Sequence, residues 1–348
     1  MVNVGDVERL SNEGGYDWNK WGEFFIRWAE ALETYGTPVQ FIDGTKYEKS
    51  NLDRIGGYPV ILKSGGNFDL RRELMKNQKK YESLSEPSSY GVRMDYDNCF
   101  LCQNIAQAFD AKASGDKRLD NIVADCGNYM MMPNRYPGSM GHSLWVPVNH
   151  DDDSMRVKPL PDETEKGRPA LVPVYGKTRG AMLSVEELES LMEETGKYNL
   201  AAVRNHVLDG MSIPSHDHFH LFPEDNPSYS LIRDMTRSEG KSYTQGLYRM
   251  NDTPYDTLVL SCEFKDALAE TVSRVLGNLE KDNVIFTLFY HDGLFAISPR
   301  YEPSDHRRIQ IGAGIHVHSF DSQSDKFFDD VAKYVPRKGD FNWNRYLD

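Results

Sequence analysis

The sequence predicts an α+β fold, an antiparallel sheet with helices packed on it, and three observations carry that expectation. Residues 18–35 place apolar side chains at helical spacing. Two apolar runs, 129–132 and 143–148, flank the turn-forming segment Asn134-Arg135-Tyr136-Pro137-Gly138, and together they read as a strand pair. Ser184 and Glu187 stand three apart ahead of a helical pattern that runs to about residue 198, which is the spacing of a capping box.

The 348 residues suffice for one large domain or two ordinary ones. No run is apolar enough to span a membrane, and residues 1–9 lack the apolar core of a secretory signal, so the expected location is cytoplasmic. The formal charge of −13 disfavours bulk nucleic acid as a partner, whereas a small phosphate ligand needs only a few local donors. Four cysteines in this length make no disulfide scaffold. Cys99 and Cys102, two residues apart, suggest metal or redox work, while Cys126 and Cys262 read as buried thiols.

Along the chain, residues 1–95 read as an accessory region without recognisable chemistry. It holds the helix at 18–35, then strands and turns over 37–68, then a charged helical stretch at 69–83. Residues 96–225 carry most of the motifs. After the strand pair, residues 150–179 are rich in Asp, Pro and Gly and read as a long surface excursion. The capped helix follows, then a strand over 200–207 and a turn at Asp209-Gly210. Residues 226–348 have a similar layout: strands at 257–261, 284–290 and 294–297, a helix at 264–279, and a closing segment at 309–318. Helix, strand and a His-x-His pair recur in both sections, the pattern a duplication would leave.

The densest chemistry is His216-Asp217-His218-Phe219-His220. In an extended chain the three imidazoles share one face, and Asp217 and Phe219 share the other. By themselves, three alternate histidines fit a solvated strand, an adventitious metal site or a catalytic metal site, and the surrounding residues decide between these.

His216 to Phe222 resembles the histidine-triad (HIT) signature: three alternate histidines, then two apolar residues. Asn205, Asp209-Gly210 and His216 resemble the asparagine–glycine–histidine run that precedes it. Residues 132–150, with Asn134, Tyr136-Pro137, Gly141-His142, Val146-Pro147 and His150, look like the family's hairpin. Cys99-Phe100-Leu101-Cys102 resembles the zinc-binding start of several branches. The elements occur in the family order over about residues 97–225, and the implied fold is a pair of tandem HIT-like halves behind an N-terminal extension.

The resemblance implies that His218 attacks the α-phosphorus of a nucleotide and carries the nucleotidyl group, a role that suits a neutral imidazole near pH 7. His220 would donate a proton or hydrogen bond to the phosphate or leaving group. Asn134, Arg135 and Tyr136 would line the nucleoside pocket. Asn205, Gly210, Ser212 and Ser215 would hold sugar and phosphate oxygens. His142 is expected to be structural or at the surface. In the zinc-containing branches the first histidine is a ligand, so Cys99, Cys102, His150 and His216 would form a closed, structural zinc tetrahedron.

Two branches fit. The small HIT hydrolases carry a third histidine, as here at His220, where transferases and phosphorylases usually carry Gln. The length and the third section point the other way. Residues 283–291 and Ile315-His316-Val317-His318 resemble the C-terminal half of galactose-1-phosphate uridylyltransferase. That likeness implies a second metal on His291, His316 and His318, with Asp234 or Glu224 as a fourth ligand. The preferred reading is a nucleotidyltransferase or phosphorylase acting on a nucleotide sugar or dinucleoside polyphosphate with a phosphate-bearing acceptor. A hydrolase of dinucleoside polyphosphates or nucleoside phosphoramidates comes next, and a non-catalytic nucleotide sensor third. A homodimer is implied by the resemblance alone.

Overall fold

The structure, a computed structural model, describes residues 2–35, 52–55, 58–62, 99–116, 120–135, 137, 139–149, 157–159, 171–173, 183–205, 216–226, 241–244, 247–249, 256–261, 265–282, 284–300, 309–312, 316–319 and 339–347. The charged stretch at 69–83 and the turn at Asp209-Gly210 lie outside these residues.

Two helices open the chain, α1 (Val4–Glu13) and α2 (Trp18–Glu33). Asn3 caps the first, accepting from Gly5 N at 3.0 Å, and Asp17 caps the second through Asn19 N at 3.0 Å. The apolar stripe of α2 is buried: Trp21, Phe25, Trp28 and Leu32 are each no more than 1% exposed. Strands β1 (Leu52–Ile55) and β2 (Tyr58–Leu62) come next, then helix α3 (Phe100–Ser114), which starts at Cys99 and ends at Gly115 with φ +68°.

The first half of the main sheet then forms. Strands β3 (Ala124–Cys126), β4 (Tyr129–Pro133) and β5 (Ser143–Pro147) pair antiparallel in sequence order. The excursion contains a small ladder, β6 (Val157–Pro159) with β7 (Leu171–Pro173). Helix α4 (Val185–Tyr198) begins at the expected capping box, with Glu187 N on Ser184 Oγ at 3.1 Å and Ser184 N on Glu187 Oε2 at 2.8 Å. Strands β8 (Leu200–Asn205) and β9 (Phe219–Pro223) complete that half.

The second half repeats the order: β10 (Lys241–Thr244), β11 (Leu247–Arg249), β12 (Leu258–Ser261), helix α5 (Lys265–Lys281), β13 (Ile285–His291) and β14 (Leu294–Arg300). The ten strands lie side by side as β10-β11-β12-β14-β13-β8-β9-β5-β4-β3, antiparallel throughout. Each half therefore contributes three strands, a helix and two strands, and β8 meets β13 at the centre. This is an α+β protein with an antiparallel sheet, packed helices and two matching halves.

The two faces of the sheet differ. Leu200, Ala202, Phe219, Leu221, Leu258, Leu260, Phe286, Leu288, Phe295 and Ile297 point to the face covered by α4 and α5, in one cluster with α1 and α2. Met130, Met132, Leu144 and Val146 point to the other face and pack with Cys99, Leu101, Cys102 and Ile105 of α3.

The histidine echo of the third section does not follow this repeat. In the first half, thirteen residues separate β8 from β9 and carry the first two histidines of the triad, with His220 on β9 itself. In the second, Asp292 (φ 45°) and Gly293 (φ 74°) close β13 onto β14 in a two-residue turn. His316 and His318 lie instead on β16 (His316–Ser319), in a separate four-strand sheet ordered β1-β2-β16-β15, where β15 is Ile309–Gly312. A final short helix, α6 (Asn344–Leu347), buries Tyr346.

Candidate active site

His216 to His220 is not one continuous strand: the chain bends at His216 and β9 begins only at Phe219. The three imidazoles consequently enter three different environments.

His216 is 1% exposed and faces α3. Its Nδ1 lies 3.3 Å from Cys99 Sγ and 3.5 Å from Cys102 Sγ, and its Nε2 lies 2.9 Å from Pro147 O. A carbonyl can only accept, so Nε2 carries the hydrogen and Nδ1 turns its lone pair toward both sulfurs. The three ligand atoms fall within 4.8 Å of one another, the only such group among the described residues. The donor set fits zinc: two thiols at the start of a helix, where the dipole favours thiolate, and an imidazole held in the ligating tautomer by a carbonyl. His150, the expected fourth ligand, lies outside the described residues.

His218 is 2% exposed and free of that cluster. Its Nδ1 donates to His216 O at 3.0 Å, so in the neutral ring Nε2 holds the lone pair. Burial pushes its pKa below the ordinary imidazole value, against the opposing pull of the His216 carbonyl and Asp217. The ring is therefore held neutral and in the tautomer that leaves the lone pair on Nε2.

Asp217 fixes the backbone of this segment from the opposite face. Its carboxylate accepts from Arg204 Nε at 2.8 Å and Arg204 Nη2 at 2.8 Å, and from His218 N at 2.9 Å. Arg204, on β8, is 1% exposed; burial alone would lower its pKa, but Asp217 outweighs that and the net shift is upward. Asp217 and Phe219 do point away from the imidazoles, Phe219 meeting Trp145 edge-on at 5.7 Å. Sequence reading missed the role of Arg204. The signal was an arginine inside an otherwise apolar strand, which a buried arginine permits only with a partner.

His220 is half-buried and meets His142, Nδ1 to Nε2 at 3.0 Å. Asn134 Nδ2 lies 3.2 Å from the same His142 nitrogen. With the amide so oriented, both Asn134 and His220 Nδ1–H donate to His142 Nε2, and His220 Nε2 is left basic. His142 is buried, stacks on Phe222 at 4.3 Å, and has its carbonyl held by Trp28 Nε1 at 3.1 Å. It is thus not at the surface, and α2 of the N-terminal region braces it. Gly141 must be glycine here: φ is +74°, and a Cβ would stand 2.8 Å from Phe25 and Pro223.

Asn134 accordingly reaches His142, and Arg135 is half-buried beside it. Asn205 ends β8, 8% exposed, with Oδ1 buried and without a hydrogen-bond partner. Tyr136, Gly210, Ser212 and Ser215 lie outside the described residues.

The expected second metal site is represented by His291 and Glu224, with Nε2 and Oε2 3.1 Å apart. Lys20 of α2 also contacts Glu224 and lies 3.0 Å from Asp225, so Glu224 is shared between His291 and a lysine ion pair. The side chains of His316 and His318, and all of Asp234, lie outside the described residues.

No family model matches the sequence, and no curated protein matches it. Among solved structures the chain is similar to yeast Ap4A phosphorylase Apa2. The complex with AMP has 14% identity and a TM-score of 0.43, over 66% of this chain and 82% of that one. The structure named without a ligand has 13% identity and 0.43, over 69% and 84%. The complex with Ap4A has 13% identity and 0.42, over 63% and 78%. No helix among the described residues is long and apolar enough to cross a membrane.

Proposed function

We propose that the protein is a nucleotidyltransferase or phosphorylase that acts on a nucleotide phosphoanhydride through a covalent nucleotidyl-His218 intermediate. One observation carries this reading: the Nδ1–H of His218 is tied to the His216 carbonyl, which leaves Nε2 free, neutral and outside the cysteine cluster. Nε2 forms a bond to the α-phosphorus as the phosphoanhydride P–O bond breaks, and the leaving phosphate keeps the electron pair. An acceptor oxygen then attacks the same phosphorus and the P–N bond breaks, restoring His218. Asn205 stands at the end of β8 to hold substrate oxygens.

Cys99, Cys102 and His216, with His150 as the fourth ligand, would hold a structural zinc. A closed ligand set supplies no Lewis acid to the substrate; it ties α3 to the segment that presents His218.

The test is single-turnover labelling with nucleotide donors radiolabelled at the α-phosphate. Label should appear on His218, and phosphate or a sugar phosphate should release it. Absence of label with every donor, from protein that still binds nucleotide, sinks the reading in favour of a sensor. A hydrolase is the second reading, favoured by the His142–His220 contact: it leaves His220 Nε2 able to take a proton from water. Release of label by water alone would select it.

A further inference from the structure

Register places a buried polar row across the centre of the sheet. Leu200 opposes Pro223 and Val203 opposes His220, so the same register continued by two residues sets Asn205 opposite His218. Asn205 opposes Thr287, Thr287 opposes Ser298, and β12 sets Thr257, one residue before Leu258, beside Ser298. All five lie on the face away from α4 and α5 and are buried. The next row on that face, from His220 to Val203, Phe289, Ala296 and Val259, is apolar beyond the histidine.

Hydroxyls and amides in the middle of a sheet cost free energy unless each has a partner. Thr257 and Ser298 satisfy one another at 2.9 Å. Arg300 Nη2 donates to Thr287 Oγ1, which leaves the threonine hydrogen free to donate onward. Asn205 Oδ1 is buried without a hydrogen-bond partner. Adjacent strands lie about 4.8 Å apart, so Thr287 sits about 10 Å from His218 along the row.

We propose that Asn205, Thr287 and Arg300 form a subsite for a phosphate chain, the one beyond the phosphorus that His218 attacks. It binds the leaving oligophosphate in the first step and the phosphate of the acceptor in the second. Arg300 supplies charge and a planar fork, Thr287 a hydroxyl donor, and Asn205 an amide that turns to meet a phosphate oxygen or a ligand hydroxyl. The second half of the sheet, which has no triad, thereby contributes the acceptor side of the site. This rests on the nucleotidyltransferase reading for its purpose, but not for its test.

The first measurement is calorimetric binding of inorganic tripolyphosphate to the full-length protein. Thr287→Val and Arg300→Met should each weaken binding at least about tenfold, the loss expected for a hydrogen bond to a charged group. Unchanged affinity in Thr287→Val, or no binding to the parent protein, overturns the subsite. Thr287→Val is nearly isosteric and carries the test if Arg300→Met fails to fold. The second measurement compares two donors in His218 labelling. A dinucleoside polyphosphate should label the variants at least about tenfold more slowly than the parent, while a nucleoside phosphorimidazolide, whose leaving group has no phosphate, should label them at the parental rate. Equal slowing with both donors overturns the proposal. Tripolyphosphate binding that depends on Thr287, in a protein that labels with neither donor, would keep the subsite and remove the transferase.

Discussion

Arg204 and Asp217 join β8 to the segment that carries His218: two guanidinium nitrogens hold the carboxylate at 2.8 Å each, and the same carboxylate takes the backbone N–H of His218 at 2.9 Å. Removing one partner of a buried pair costs ~3–5 kcal/mol. Asp217 keeps 29% side-chain exposure, so Asp217→Ala should lose less, about 2–3 kcal/mol. The double variant Arg204→Met, Asp217→Leu should recover the part due to the unpaired buried guanidinium, but not the part due to the lost acceptor of the His218 N–H. Urea denaturation of the single and double variants decides; a double variant as unstable as Asp217→Ala would show that the pair is not what stabilises this segment.

His216 and His218 should separate cleanly. His218→Asn should abolish labelling and turnover with little change in the melting temperature. His216→Ala should lower the melting temperature more, because it removes the imidazole that faces both cysteines. Turnover by His218→Asn at the parental rate would end the covalent mechanism, and melts in the reverse order would show that the two roles are exchanged.

Elemental analysis of purified protein should find about one zinc per chain, and Cys99→Ser should lose it. Chelation should lower stability before it alters the chemistry proposed at His218, since a metal held by this cluster would tie α3 to the segment that presents His218. Protein with no zinc at all would leave Cys99 and Cys102 as reduced thiols.

His142 should matter through His220. His142→Phe keeps the stack on Phe222 but removes the nitrogen 3.0 Å from His220 Nδ1. Loss of a positioned acid–base group costs about 10²–10⁴-fold, the scale expected for His220→Ala; His142→Phe, acting one ring away, should cost roughly tenfold. In the hydrolase reading, where His220 takes a proton from water, the loss should fall on release of the nucleotidyl group rather than on its formation. Rapid-quench measurement of both steps tests this, and an equal effect on both would make His142 structural only.

Cys126 should be a poor nucleophile. Burial, then the neighbouring Glu194 carboxylate at 3.4 Å, push its pKa up to about 12. At pH 8 the thiol stays protonated, and its alkylation should accelerate only as pH rises toward that value. Glu194→Gln removes the charge and should speed alkylation at fixed pH. Peptide mapping after iodoacetamide treatment distinguishes Cys126 from the other cysteines; rapid labelling of Cys126 in the parent at pH 8 would contradict the shift.

Local rules were legible in the sequence alone. The apolar stripe of α2, the capping box at Ser184, the strand pair around residues 134–138 and the alternation of Asp217 and Phe219 against the histidines depend on neighbours a few residues away, and all four are present in the structure. So is the α+β class, with its antiparallel sheet and two matching halves. What only tertiary structure decided was which distant groups meet. Asn134 turns to His142 across the β4–β5 hairpin, and His142 meets His220 because β5 lies beside β9. Arg204 finds Asp217, and α2 reaches the site through Trp28, because buried polar groups take whatever partner packing delivers. The echo of His316 and His318 looked like a repeat in one dimension. Strand order placed it in another sheet, since pairing follows hydrogen-bonding edges and buried faces, which sequence spacing does not encode.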